Sequence, residues 1–179
     1  MYFVIMQTAP ITLKIPENRV AVLIGTGGAT KKKIEKEFKC RLRVSSEGDI
    51  EIIAKDTANA LRGREAVMAI ARGFSPEHAM LLKSEENVLE ILSLPDYGIS
   101  EKSMERYKSR LIGTRGKARA NIEELTKTSI SIYGKTVAII GAPENVKNAR
   151  NAIELLLSGK THVTSYIFLR KQKEKEEWF

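Results

Sequence analysis

Leu111-Ile112-Gly113-Thr114-Arg115-Gly116 repeats, 88 positions later, the pattern of Leu23-Ile24-Gly25-Thr26-Gly27-Gly28. The same offset brings Lys31 onto Arg119, Ile34 onto Ile122, Glu35 onto Glu123, Leu42 onto Ile130 and Val44 onto Ile132. Beyond that point the offset falls to 87, where Ile52 meets Ile139, Ala66 meets Ile153 and Ile70 meets Leu157. Chance matches among apolar residues would not hold register across so many positions. A single-residue slip in a turn, by contrast, is what two copies of one module leave behind.

Working outward from the two glycine turns, each copy reads in the same order of elements. In the first, Ile11, Leu13 and Ile15 alternate as a strand, and Pro16-Glu17-Asn18 introduces a short helix with Val20, Leu23 and Ile24 on one face. Gly25 to Gly28 breaks it. A helix carrying Ile34 and Phe38 follows, then alternation from Arg41 to Ser45, a turn at Ser46-Glu47-Gly48-Asp49, a strand from Ile50 to Ala54 and a closing helix over Thr57 to Arg72. The second copy runs from a strand at Val88 to Leu94 through a helix to Ile112 that Ser100 caps and a helix from Lys117 to Lys127. Ile130 and Ile132 alternate with serines, Gly134 sits in a tight connection, Val137 to Ile140 returns, and Val146, Ala149, Ile153, Leu156 and Leu157 keep helical spacing. The order in both is βααββα. The division predicted is an N-terminal extension over 1–10, modules over 11–72 and 88–158, a linker over 73–87 in which Pro76 starts a further helical turn, and a helical tail over 159–179. The mixed charges from Arg170 to Glu177 suggest a solvated helix.

Composition bounds what these modules do. The 179 residues allow one large domain or two small ones and are too few for a large multidomain enzyme. Lys and Arg number 30 against 22 Asp and Glu, a net charge of +8 that favours a polyanionic partner, with nucleic acid first. Hydrophobic residues at 42% can fill a core, while aromatics at 6% leave few stacking platforms. Cys40 is the sole cysteine, and His78 and His162 are the only histidines, so neither a disulfide framework nor a Cys/His zinc site is available. A reducing, cytoplasmic setting is the expectation. The apolar run from Phe3 to Met6 is too short for a signal core or a membrane span and reads as a leading strand or an extension.

A Gly-x-x-Gly turn between two helices presents the N–H groups of the second helix's first turn, and its glycines remove the Cβ atoms that would keep a ligand away. Such a turn suits a phosphate. From Arg106 to Arg119 the second copy has six basic residues, Arg106, Lys108, Arg110, Arg115, Lys117 and Arg119, and no acidic one. The first copy has no charge within Gly25-Thr26-Gly27-Gly28, but Lys31, Lys32 and Lys33 follow at once, and its extra glycine makes the turn looser. Neither a Gly-x-x-x-x-Gly-Lys-Ser/Thr loop nor Gly-x-Gly-x-x-Gly after a strand occurs, which disfavours a nucleotide enzyme.

The apolar-Ile-Gly-x-x-Gly turn between two helices, followed by a strand pair and a closing helix, resembles the KH family of RNA-binding modules in its type I order, over nearly all of residues 11–158. The resemblance implies an α+β fold, each module a three-stranded antiparallel sheet with helices on one face. It also implies a groove that clamps about four nucleotides of single strand, with the turn holding the backbone. The candidate floor of that groove is Ile24, Ile34 and Val44 in the first copy and Ile112, Ile122 and Ile132 in the second, although helical spacing weighs for Ile34 and Ile122 in the core. Lys31 and Arg119 stand where generic KH modules have an aliphatic residue, which suggests a more electrostatic groove.

Gly116-Lys117-Ala118-Arg119, Ile122-Glu123-Glu124-Leu125-Thr126, Tyr133-Gly134-Lys135-Thr136-Val137, Ile140-Gly141, Gly73-Phe74, Ala79 to Leu82 and Tyr166 to Arg170 narrow the match. They look like archaeal counterparts of the Dim/Partner-of-Nob proteins, tandem-KH factors of small ribosomal subunit assembly. That resemblance implies a non-catalytic protein that binds small-subunit rRNA near its 3′ end, mainly through the second module, on the pre-ribosomal small subunit beside the Nob endonuclease. The implied RNA-binding residues are Arg110, Ile112, Gly113, Thr114, Arg115, Gly116, Lys117, Arg119 and Ile132. In the first copy they are Ile24, Gly25, Thr26, Gly27, Gly28, Lys31 and Lys32.

Catalysis finds little support beside this. Cys40, between a helix and a strand, reads as a buried structural thiol, and His78 and His162 have no evident constellation. Glu123 and Glu124 are adjacent on a helix and point about 100° apart, so they cannot pair catalytically and are expected to support the helix from its solvent side. No cofactor, metal or membrane contact is expected. The rival reading is a protein-interaction scaffold in which one or both turns no longer touch RNA, most credible for the uncharged first turn.

Overall fold

The computed structural model describes residues 9–176 and divides into two compact units, Met1–Glu85 and Glu86–Phe179. The apolar run from Phe3 to Met6 lies outside the described residues.

In the first unit, β1 (Ile11–Lys14), α1 (Glu17–Ile24), α2 (Ala29–Glu37), β2 (Cys40–Val44), β3 (Asp49–Ala54) and α3 (Thr57–Ala71) follow the predicted order. The sheet is antiparallel in the order β1-β3-β2, with Leu13 opposite Ile50 and Leu42 opposite Ile52. Alternation decides the faces: Leu42, Ile50 and Ile52 are buried while Arg41 and Arg43 stay in solvent. Asp56 caps α3 by accepting the Asn59 N–H at 2.8 Å. Arg19 on α1 donates to the carbonyls of Ile70 and Phe74 at 2.7 and 2.6 Å, tying α1 to the end of α3. The stretch after α3 is helical from Pro76, as α4 (Pro76–Ala79) and a 3-10 turn (Met80–Lys83), both packed on α3. Ser75 caps α4 and Pro76 fills its first position, where the missing N–H costs nothing.

In the second unit the order recurs as β4 (Val88–Ser93), α5 (Glu101–Ile112), α6 (Lys117–Thr126), β5 (Ser129–Tyr133), β6 (Thr136–Gly141) and α7 (Pro143–Leu157). The sheet is antiparallel in the order β4-β6-β5. Leu92, Ile130, Val137 and Ile139 meet Leu111, Ile122, Val146, Ile153 and Leu156 from the helices in one core. Both units therefore have the element order and sheet topology of a type I KH module. The slip in the repeat falls in the hairpins: residues 45–49 lie between the paired Val44 and Ile50, but only residues 133–136 between the paired Ile132 and Val137. A turn absorbs the lost residue without moving a buried side chain to the other face.

The tail is a helix, α8 (His162–Glu176), exposed at Arg170, Lys171, Lys173 and Glu174 but packed at its start. Ser165 and Leu169, four residues apart, are buried, and α8 packs against α6 and α7. The small Ser165 allows close approach, and its hydroxyl donates to the Ala152 carbonyl at 3.3 Å.

Candidate nucleic-acid interface

The two glycine turns share one backbone path. Gly25 (φ 71°, ψ 171°) and Gly113 (φ 72°, ψ 175°) occupy a region open in practice only to glycine. Gly27 and Arg115 then take the left-handed conformation, at φ 59° and 54°, as do Gly28 and Gly116, at 79° and 77°. Gly27 thus removes at its position the strain that Arg115 carries at the equivalent one. A Cβ on Gly113 would lie 2.6 Å from the Ala118 Cβ and 2.8 Å from its backbone nitrogen, so α6 can begin where it does only because that atom is missing. A Cβ on Gly116 would meet nothing within 4 Å. Within the turn the Gly116 N–H donates to the Gly113 carbonyl at 3.1 Å and the Lys117 N–H to that of Thr114. The N–H groups of Thr114 and Arg115 have no partner among the described residues, and both side chains are exposed. Two adjacent free donors at a left-handed bend are a backbone feature of the kind that can receive an anion.

The six basic residues from Arg106 to Arg119 are differently engaged. Arg106 stands over the Tyr107 ring at 5.2 Å, and Lys108 pairs with Glu105 at 2.7 Å. Arg119, itself exposed, lies 3.5 Å from the half-buried Glu123, a pair open to solvent on one side and of small energy. Arg110 is half-buried, and its guanidinium donates to the Lys160 carbonyl. Arg115 and Lys117 are exposed and form no ion pair among the described residues, so two free positive charges lie at the turn. In the first unit Thr26, Gly27 and Lys32 are exposed and Lys31 is half-buried.

The apolar candidates divide. Ile34 and Ile122 are 0% and 1% exposed and are core residues. Ile24 and Ile112, before the turns, and Val44 and Ile132, on β2 and β5, are half-buried and keep apolar surface available. Each of these strands has a neighbour on one side only within its sheet.

Sequence reasoning misplaced Glu123. It does not stand on the solvent side of α6: its carboxylate accepts the Ile130 N–H of β5 at 2.7 Å, as Glu35 accepts the Leu42 N–H of β2 at 2.8 Å. Each clips the second helix of its module to the outer edge of the neighbouring strand. The signal was the repeat itself, which aligns both partners at the same offset. Beside Glu35, Cys40 is buried, and burial, helped by the Glu35 charge, pushes its thiol up to about 11. Because the thiolate is the reactive form, native Cys40 should react with a disulfide reagent at pH 8 at least ~100-fold more slowly than free cysteine, until denaturant is added. Equal rates would contradict this burial. His78 shares a hydrogen bond with Ser75, and His162 one with the Arg110 carbonyl. Among the described residues there is no group of three His, Cys, Asp or Glu side chains able to hold a metal ion, and no helix is long and apolar enough to cross a membrane.

Comparison with known proteins adds a family. Residues 88–174 match the model of the eukaryotic-type KH domain, KH-domain type I, and residues 10–69 match that of the KH domain. The KH domain-containing protein MJ0443 of Methanocaldococcus jannaschii is 45% identical over 167 residues, covering 91% of this chain and 74% of that protein. The pre-rRNA-processing protein PNO1 of Chaetomium thermophilum is 32% identical over 121 residues, 65% of this chain and 47% of its own length. Dim2p of Pyrococcus horikoshii has a crystal structure with a TM-score of 0.86 at 41% identity, covering 92% of this chain and 99% of that one. A chain in the crystal structure of the a/eIF2alpha-aDim2p-rRNA complex from the same organism gives a TM-score of 0.89 at 41% identity, over 95% of this chain.

Proposed function

The chain belongs to the tandem-KH family of the Dim2 and PNO1 proteins, and on that footing we propose that it is an RNA-binding factor of small ribosomal subunit assembly that holds rRNA near its 3′ end. The observation that carries this reading is the Gly113-Thr114-Arg115-Gly116 turn, exposed at Thr114 and Arg115, with two unpartnered N–H groups and two unpaired cations, Arg115 and Lys117. A relative 41% identical to this chain was crystallised with rRNA, which supports the choice of ligand.

The mechanism is binding without bond-making. A backbone phosphate seats against the N–H groups of Thr114 and Arg115, which need no rearrangement to receive it. Arg115 and Lys117 neutralise that phosphate and its neighbour, releasing counterions. Ile112 and Ile132 offer apolar surface to the bases, whose edges carry the sequence information. Bound in this way in the cytoplasm, on the pre-ribosomal small subunit, the 3′ end is held extended for trimming by a separate enzyme, the Nob endonuclease.

Arg115→Gln tests the electrostatic part. Titrating a labelled single-stranded RNA with the 3′-terminal sequence of small-subunit rRNA over a range of salt, the variant should lower the slope of log affinity against log salt by about 0.7, one phosphate contact on a single strand. An unchanged slope removes Arg115 from the interface.

A second reading applies to the first module alone. Its turn carries no charge at Thr26 and Gly27, and the nearest cation that follows, Lys31, is half-buried. That module is then a scaffold for protein contact or a secondary RNA site.

A further inference from the structure

The Gly113–Gly116 turn is as open as the angle between α5 and α6 makes it, and both helices are held from outside the βααββα module. α8 packs along α6 and α7. Two hydrogen bonds join the last turn of α5 to the entry of α8: the Arg110 guanidinium donates to the carbonyl of Lys160, two residues before the helix, and His162 Nε2, on its first residue, lies 2.9 Å from the Arg110 carbonyl. The second bond requires the proton on Nε2, since a carbonyl only accepts. It satisfies one of the carbonyls that every helix leaves unpaired at its C-terminus, three residues before Gly113. The Arg110 side chain is turned inward, and its Nε is buried with no hydrogen-bond partner among the described residues. Its counterpart in the first copy is Val22, which can make neither side-chain bond.

We infer that α8 is a brace for the RNA-binding turn and that Arg110 is a positioning residue, its charge committed to the Lys160 carbonyl and not to a phosphate. The appended helix and the segment leading into it hold α5 through His162 and the Lys160 carbonyl and α6 through packing, and so set the attitude in which the Thr114 and Arg115 N–H groups are presented. The inference rests on the reading of this turn as the RNA contact, and the test separates the two.

The full chain and its variants Arg110→Lys, Arg110→Gln, His162→Ala and Arg115→Gln are titrated with the same 3′-terminal rRNA strand across a range of salt, below the melting temperature of each. Arg110→Lys keeps the charge but loses the planar fork. It and His162→Ala should each weaken binding about 10-fold at an unchanged salt slope, as expected of coupling through a packed element. In the free His162→Ala protein the amide signals of Gly113–Gly116 should shift while those of β6 stay in place. Wild-type affinity for Arg110→Lys together with a reduced slope for Arg110→Gln would make Arg110 a phosphate ligand and overturn the inference. So would unmoved turn signals in His162→Ala. An unchanged slope in Arg115→Gln counts instead against the turn as the RNA contact.

Discussion

Thr114→Asp combined with Arg115→Asp abolishes RNA binding, an expected loss of at least ~100-fold in affinity at moderate salt, because the pair exchanges one positive charge for two negative ones where a phosphate must sit. The folded state tolerates both changes. Thr114 and Arg115 are exposed, and the left-handed backbone at position 115, φ 54°, is one that Asp adopts more readily than most residues. A loss of binding therefore reports on the interface and not on unfolding, which an unchanged thermal transition verifies. The matching pair in the first module, Thr26→Asp with Gly27→Asp, is equally exposed and equally left-handed at its second position. If only the second pair abolishes binding, the first module is a scaffold or a secondary site. If both pairs do, the two turns share the RNA. Survival of binding in the Thr114/Arg115 variant would rule out the second turn as the contact.

The other large effect is on stability. Gly113→Ala forces an L side chain into φ 72°, ψ 175°, and drives its Cβ to 2.6 Å from the Ala118 Cβ and 2.8 Å from the Ala118 nitrogen. Ala118 is buried on the first turn of α6, so it cannot simply swing away. Backbone strain and overpacking together should cost about 3 kcal/mol or more, roughly 15 °C in the melting of a unit this size. Gly116→Ala is the internal control. It is left-handed but faces open space, so its cost should be only about 1–2 kcal/mol. Equal melting of the two variants would mean that the contact with Ala118 does not constrain the start of α6.

Much of this arrangement was legible before any coordinates. Two in-register copies set the element order, and alternation from Arg41 to Ser45 set β2 and the side on which Leu42 is buried. The spacing of Ile34 and Ile122 already weighed for the core over the groove, where their near-complete burial puts them. The remainder was hidden for identifiable reasons. Gly113 and Gly116 are the same letter, yet only the first is held by a clash, and that difference lies in ψ and in Ala118. Arg110 belongs to a run of basic residues in which sequence does not separate a side chain aimed at the turn from one turned toward the tail. α8 buries Ser165 and Leu169 but leaves Val163 and Ile167 in solvent, so apolar residues lie on more than one face and periodicity could not show which face packs. For Glu35 and Glu123 the clue was present in the repeat, but an acidic side chain on a helix reads by default as a solvated one.

Amide signals followed by ¹H–¹⁵N correlation, while a single-stranded RNA with the 3′-terminal sequence of small-subunit rRNA is added, observe the proposed donors themselves. Phosphate seating predicts that the Thr114 and Arg115 amides move furthest, downfield as hydrogen bonds form, and that Gly116 and Lys117 follow. Large shifts elsewhere in the second unit, with the Thr114 and Arg115 amides unmoved at saturation, would contradict it.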